Sequence, residues 1–143
     1  MALRLSTRGE YSVRTILVLA ASYGKGPVPL GQIAQRENIS LAYLEQLIAV
    51  LRRKGLVDSV RGARGGYRLT QPPQQVSLGD VLRAAEEFIG PVDCVGEDRQ
   101  GGCCEREAEC NVRPAWARLR NSMVDLLDST TLADLCRPSP AGT

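Results

Sequence analysis

The sequence predicts a mainly α-helical fold with a small β-hairpin wing: a winged helix-turn-helix followed by a long C-terminal dimerisation helix. Three observations predict it. Two amphipathic segments separated at Asn38 lead into the basic run Arg52-Arg53-Lys54-Gly55. The short stretches Leu56-Val57 and Tyr67-Arg68-Leu69 then flank a glycine-rich basic tip, Arg61-Gly62-Ala63-Arg64-Gly65-Gly66. Further on, Trp116, Leu119, Met123, Leu126 and Leu127 recur at helical spacing behind Pro114.

Each element follows from local chemistry. A first helix is expected from about Arg8 to Ser22, capped by Thr7 with Glu10 at capping-box spacing, and striped by Val13, Ile16, Leu17 and Ala20. Gly24, Gly26, Pro27 and Pro29 break the chain. Leu30 to Glu37 reads as a short helix burying Leu30, Ile33 and Ala34, and Asn38 allows a tight turn. Ser40 caps the next helix, Leu41 to Lys54, with Leu41, Leu44, Leu47, Ile48 and Leu51 inward. Ala42, Glu45, Gln46, Ala49 and Arg53 fall on its opposite side, with Tyr43 and Arg52 at the margins. Ser77 caps a helix from Leu78 to about Ile89 whose apolar residues are Val81, Leu82, Ala85 and Phe88. Thr130 or Thr131 caps a final turn around Leu132 and Leu135.

These elements divide the chain into a winged helix-turn-helix domain (1–73), a linking helix (74–91), a cysteine-rich loop (92–111), a dimerisation helix with its terminal turn (112–137) and a flexible tail (138–143). Charge follows the same division. Residues 1–70 hold 11 Lys/Arg against 4 Asp/Glu, a balance of +7, while residues 71–143 hold 7 against 12, a balance of −5. The first half is suited to neutralise phosphates, and the second repels nucleic acid. The longest apolar stretch, Ile16 to Ala21, is too short to span a bilayer, and the charged start has no signal-peptide core, so the expected location is the cytoplasm.

In such a head the helix Leu41–Lys54 reads the duplex. Gln46 is suited to paired hydrogen bonds with adenine, and Tyr43 to a phosphate or a thymine methyl. Ser40 reaches phosphate through its hydroxyl or the helix amino terminus. Glu45 either accepts from cytosine or is neutralised by Arg52 or Arg53. Arg61 and Arg64 are the wing's fingers for a narrow minor groove. Gly62, Gly65 and Gly66 give the backbone clearance. One small head contacts few bases, so a homodimer on a pseudo-palindromic double-stranded DNA operator is expected.

The loop 92–111 has no regular periodicity and holds six acids, two arginines, three glycines and four of the five cysteines. A loop this long needs a ligand or another reason to exist. The chain has no histidine, so a Cys/His metal site is excluded. Cys94, Cys104 (or its neighbour Cys103) and Cys110 offer thiolates to an iron–sulfur cluster, with zinc the second reading. A metal-free thiol switch and ordinary cysteines stay open. Cys136 reads as a half-buried apolar side chain. Enzymatic function is not expected: there is no phosphate-binding loop, no CxxC pair and no acid pair placed by a motif.

The residues also resemble a family of bacterial winged-helix transcriptional regulators, the Rrf-two family of the IscR and NsrR type, over roughly residues 3–137. The resemblance rests on Leu5-Ser6-Thr7-Arg8-Gly9-Glu10-Tyr11-Ser12-Val13-Arg14 and on Ile39-Ser40-Leu41-Ala42-Tyr43-Leu44-Glu45-Gln46-Leu47. Gly55-Leu56-Val57, Val60-Arg61-Gly62, Gly65-Gly66-Tyr67, Trp116 and Thr131-Leu132-Ala133-Asp134-Leu135 add to it. It implies a dimeric DNA-binding repressor that senses iron–sulfur status, redox state or nitric oxide. It further implies a [2Fe-2S] cluster, or in some members a [4Fe-4S] cluster, on three cysteines. Here those are Cys94, Cys104 or Cys103, and Cys110; five residues separate Cys104 from Cys110, which favours Cys104. The chain departs from the pattern in a longer loop after Cys94 and in Arg113, which stands where the iron–sulfur regulator has a histidine. An always-protonated arginine is no ligand. Some relatives use an amino-terminal carboxylate instead, a position that matches Glu10, donated across the dimer. RNA polymerase or a cluster-delivery protein are further expected partners. A regulator of the same fold without a cofactor, run by a small molecule or partner protein, is the alternative.

Overall fold

The computed structural model describes residues 5–97 and 109–136. Helix α1 (Thr7–Ala21) is followed by α2 (Leu30–Glu37), α3 (Leu41–Arg53), the strands β1 (Val57–Val60) and β2 (Gly66–Leu69), and then α4 (Leu78–Ala84), α5 (Arg113–Ser129) and α6 (Leu132–Cys136). The mainly helical fold with a two-stranded antiparallel wing is as the sequence predicts.

The amino terminus of α1 differs from expectation. Ser6, not Thr7, is the cap, and its hydroxyl accepts the Gly9 N–H at 3.1 Å. The capping-box position therefore falls on Gly9, and Glu10 stands exposed one residue later. The buried stripe is also rotated: Ser12, Thr15, Ile16 and Leu19 are buried, while Val13 and Leu17 are half-buried. Two small hydroxyl side chains, Ser12 and Thr15, are as buried as the apolar residues of α1, which an apolar count misses.

Asn38 closes α2 in the left-handed conformation, φ 54°, which Asn tolerates better than branched residues. Ser40 then caps α3, its hydroxyl accepting the Tyr43 N–H at 3.2 Å. Leu44, Leu47, Ile48 and Leu51 are buried as expected, but Leu41 is 48% exposed. Its place in the first turn directs its side chain back past the helix end rather than onto the core.

The wing pairs Val57 with Leu69 and Val60 with Gly66. A third segment steadies it: Val28 and Tyr67 exchange two backbone hydrogen bonds, each 2.9 Å. A Cβ on Gly66 would collide with the Val28 carbonyl, and one on Gly65 with the Val60 carbonyl. These two glycines thus serve the wing's own packing, and Gly62 serves its turn with φ at +118°. The clearance expected for a nucleic-acid surface is already filled by the chain's own backbone at Gly65 and Gly66.

Helix α4 begins with a full capping box between Ser77 and Asp80. It stops at Ala84 instead of reaching Ile89. Glu86, in the left-handed region at φ 61°, ends it; the Glu86 N–H reaches the Arg83 carbonyl and the Glu87 N–H the Leu82 carbonyl. That is a Schellman stop with glutamate where glycine is usual. Contacts from three residues compensate. Ser6 gives both its N–H, at 3.0 Å, and its hydroxyl to the Glu87 carboxylate. Arg8 donates to the Glu86 carbonyl at 2.9 Å. Lys54, capping α3, lies 3.8 Å from the Glu86 carboxylate.

Backbone bonds from Leu78 to Thr130 (2.8 Å) and from Leu132 to Val76 (2.9 Å) return the chain to the head. Thr131 and Asp134 cap α6 reciprocally, both bonds 3.1 Å, and Leu132 is fully buried. By contrast α5 buries none of its residues; Leu119 is 37% and Leu126 66% exposed. Cys136 is exposed rather than half-buried.

Gly66→Ala is expected to destabilise the fold by about 2 kcal/mol or more, because backbone rather than a flexible side chain must move. Gly31→Ala, with open space around its Cβ, is expected to be neutral or stabilising by up to about 1 kcal/mol. Urea unfolding of the two variants checks the contrast.

Candidate nucleic-acid interface

The face of α3 opposite its buried side carries Ala42, Glu45, Gln46, Ala49 and Arg53, all exposed. Gln46, Ala49, Val50, Arg52 and Arg53 line an open concavity on that face. Ser40 is exposed at its amino end with its hydroxyl engaged in capping. Tyr43 is half-buried. Its ring meets Tyr11 of α1 edge to face, centroids 6.1 Å apart at 81°, and the Arg14 guanidinium lies 5.7 Å from the Tyr11 centroid. This pairing of α1 with α3, invisible in either segment alone, commits much of the Tyr43 ring to the protein.

Glu45 is exposed and makes no ion pair with Arg52 or Arg53 among the described residues. Those arginines stand two helical turns further on, about 10 Å along the axis, so the expected neutralisation does not form. Arg61 and Arg64 are exposed at the wing tip, which the Gly65 N–H to Gly62 carbonyl bond closes at 3.0 Å. Lys54, part of the predicted basic run but not of the candidate contact residues, faces Glu86. Its signal was its place beside Arg52 and Arg53.

The cysteine loop begins with a 3-10 turn over Asp93–Val95 that presents Cys94, half-buried. The Glu97 N–H donates to the Ile89 carbonyl at 2.8 Å, closing a loop around that turn. Cys110 is half-buried just before α5. Cys103 and Cys104 lie outside the described residues. Among the described residues, no three Cys, Asp or Glu side chains gather closely enough to hold a metal. Glu10 lines a groove of about 390 Å³ with Val13, Leu82, Phe88, Met123 and Leu126, between α1, α4 and α5.

A family profile described as "Rrf2: Iron-dependent Transcriptional regulator" matches residues 5–138. The chain belongs to the Rrf2 family. Protein rrf2 of Nitratidesulfovibrio vulgaris is 42% identical over 135 residues, 94% of this chain and 88% of that protein. The structure of CymR, the global cysteine regulator of B. subtilis, superposes with a TM-score of 0.77 at 42% identity, covering 94% of this chain and 96% of that one. That of T. potens IscR gives 0.73 at 41% identity, covering 93% and 85%. This Rrf2 protein is therefore a DNA-binding transcriptional regulator and not an enzyme. Among its described residues no helix is long and apolar enough to cross a membrane.

Arg61→Ala and Arg64→Ala are each expected to weaken binding similarly across sequences and to lower the slope of log affinity against log salt by about 1. Gln46→Ala is expected to relax preference at one base pair, costing about 1–3 kcal/mol on the preferred site alone. Fluorescence anisotropy at several salt concentrations, on matched and single-mismatch duplexes, separates the two effects.

Proposed function

We propose that this Rrf2 regulator is a cytoplasmic homodimer that represses transcription from pseudo-palindromic operators and senses iron–sulfur status, redox state or nitric oxide through a cluster on its cysteine loop. The observation that carries the reading is the groove shared by Glu10 and the bare apolar face of α5. A second copy seated there removes Leu126 and Met123 from water, and it brings each Glu10 to the surface that meets the partner's loop. Ser40, Tyr43, Glu45, Gln46, Arg52, Arg53, Arg61 and Arg64 face the duplex from each head. The two heads must meet grooves about one helical turn, roughly 34 Å, or a multiple apart.

The donor set suits a thiolate-bound group. Cys94 and Cys110 are half-buried, sheltered yet reachable, and Cys104 or Cys103 supplies the third sulfur. Glu10 would complete four ligands as the single oxygen donor, the one most readily displaced. When bound, the cluster supplies iron and sulfide that react with oxidants and nitric oxide. The protein's part is to carry that state. Cys110 immediately precedes α5, and Cys94 sits on the loop that follows the Glu86–Glu87 turn. A change in either thiolate's attachment therefore acts on the dimer helix and on the turn that holds Ser6, Arg8 and Lys54. Cluster state and operator affinity are then linked reciprocally.

A second reading, a regulator without a cofactor, is favoured by the likeness to CymR, named as a cysteine regulator. Anaerobic purification with iron, sulfide and zinc analysis tests both. Iron and sulfide in equal amounts, abolished by Cys110→Ala and lost faster after Glu10→Ala, are expected. Metal-free protein that binds its operator and responds fully to its signal would support the second reading instead, and stoichiometric zinc would make the loop a zinc-thiolate sensor.

A further inference from the structure

The guanidinium of Arg83, on α4, is shared between two carboxylates from distant parts of the chain. Its Nε and Nη2 edge donates to Glu97 at 2.5–3.0 Å. Its Nη1 and Nη2 edge donates to Asp128, in the last turn of α5, at 2.8 and 3.0 Å. Asp80 adds a third acid at 3.9 Å. Two-point pairing on both edges fixes direction as well as distance, which a lysine cannot do. Hydrogen bonding to Asp128, then to Glu97, holds the guanidinium even further above its ordinary pKa.

Two independent features show that the fold makes room for this junction. A Cβ on Gly79, in the first turn of α4, would collide with the Asp128 carboxylate. A Cβ on Gly90 would come within 2.8 Å of the Gly96 backbone, so the stretch 90–96 folds back closely on itself. Glu97 closes that loop through its N–H to the Ile89 carbonyl, 2.8 Å. From α5, Arg120 also reaches the Val95 carbonyl at 3.4 Å. Cys94 lies inside this closed loop, three residues before Glu97.

We propose that Arg83 is the positioning residue for Cys94. It clamps the base of the Cys94 loop to the final turn of α5 and so fixes where the thiol stands relative to the dimer helix. Without the guanidinium, Asp80, Glu97 and Asp128 repel one another, and Glu97 is driven outward with the loop behind it. The consequence for sensing rests on the cluster reading above; the clamp itself does not.

The test uses the full chain, first without metal. Thiol alkylation by iodoacetamide is followed peptide by peptide for Cys94, Cys110 and Cys136. Arg83→Met is expected to speed labelling of Cys94 severalfold and to leave Cys136 unchanged. Arg83→Lys should restore protection only in part, because one ammonium cannot serve both carboxylates at two points. Asp128→Asn, which keeps a neutral partner for Arg83, gives a milder version if Arg83→Met folds poorly. Equal labelling of Cys94 in wild type and in all three variants, with unchanged circular dichroism, overturns the proposal. So does parallel acceleration at all three cysteines, which marks general loosening. In anaerobically loaded protein, Arg83→Met should shorten cluster retention by about tenfold or more, as loss of a ligand-orienting contact does. If wild type binds no cluster while the selective labelling effect holds, the clamp stands and the cluster reading alone falls.

Discussion

The burial of Leu44, Leu47, Ile48 and Leu51 on one side of α3 is the constraint on which the rest of the structure depends. With that side pinned in the core shared with α2, α1 and the wing, the helical period leaves no choice about what faces outward. Glu45, Gln46, Ala49 and Arg53 are exposed because their neighbours are not. The wing follows from the same anchor. The chain leaves α3 at Gly55, turns through β1 and β2, and is held by the Val28 pairing with Tyr67, which leaves Arg61 and Arg64 exposed at the tip.

A second constraint lies at the end of α4. Extending α4 to Ile89 would satisfy more intrahelical hydrogen bonds. The chain instead takes a left-handed glutamate, whose strain costs about 1 kcal/mol or more. Ser6, Arg8 and Lys54 all attach to the two residues of that turn. The turn therefore joins the cap of the first helix to the end of α3, and it directs the following segment toward Cys94. Arg83, one turn earlier, holds the other side of the same segment.

Helix α5 completes the picture by what it lacks. Seventeen residues long, it buries none. Polar bonds tie it to the chain before it, from its last turn through Asp128 to Arg83 and from its middle through Arg120 to the Val95 carbonyl. An amphipathic helix this long gains stability chiefly from a packed apolar face, and the proposed second copy supplies that face. Charge follows the same division: the basic half carries the exposed face of α3 and the wing tip, and the acidic half carries the cysteine loop.

The sequence alone determined the order and type of the elements, α3 with its exposed outward face, the wing and the thiols. Those depend on local signals: Ser40 as a cap, Asn38 as a left-handed stop, helical spacing in 44–51, and glycines between two short strands. Four things were decided only by tertiary structure. Ser6 displaced Thr7 as cap because a carboxylate more than eighty residues away takes its hydroxyl and N–H. Helix α4 stopped early because long-range partners hold Glu86 and Glu87 in a conformation that no local residue signals. Gly65 and Gly66 are required by Val60 and Val28 rather than by a ligand. Arg83 meets Glu97 and Asp128 only once α4 and α5 have packed. Caps, periods and turns are energies between near neighbours, legible in order along the chain. Ion pairs and close backbone approaches are energies between segments, which exist only after the core has brought those segments together.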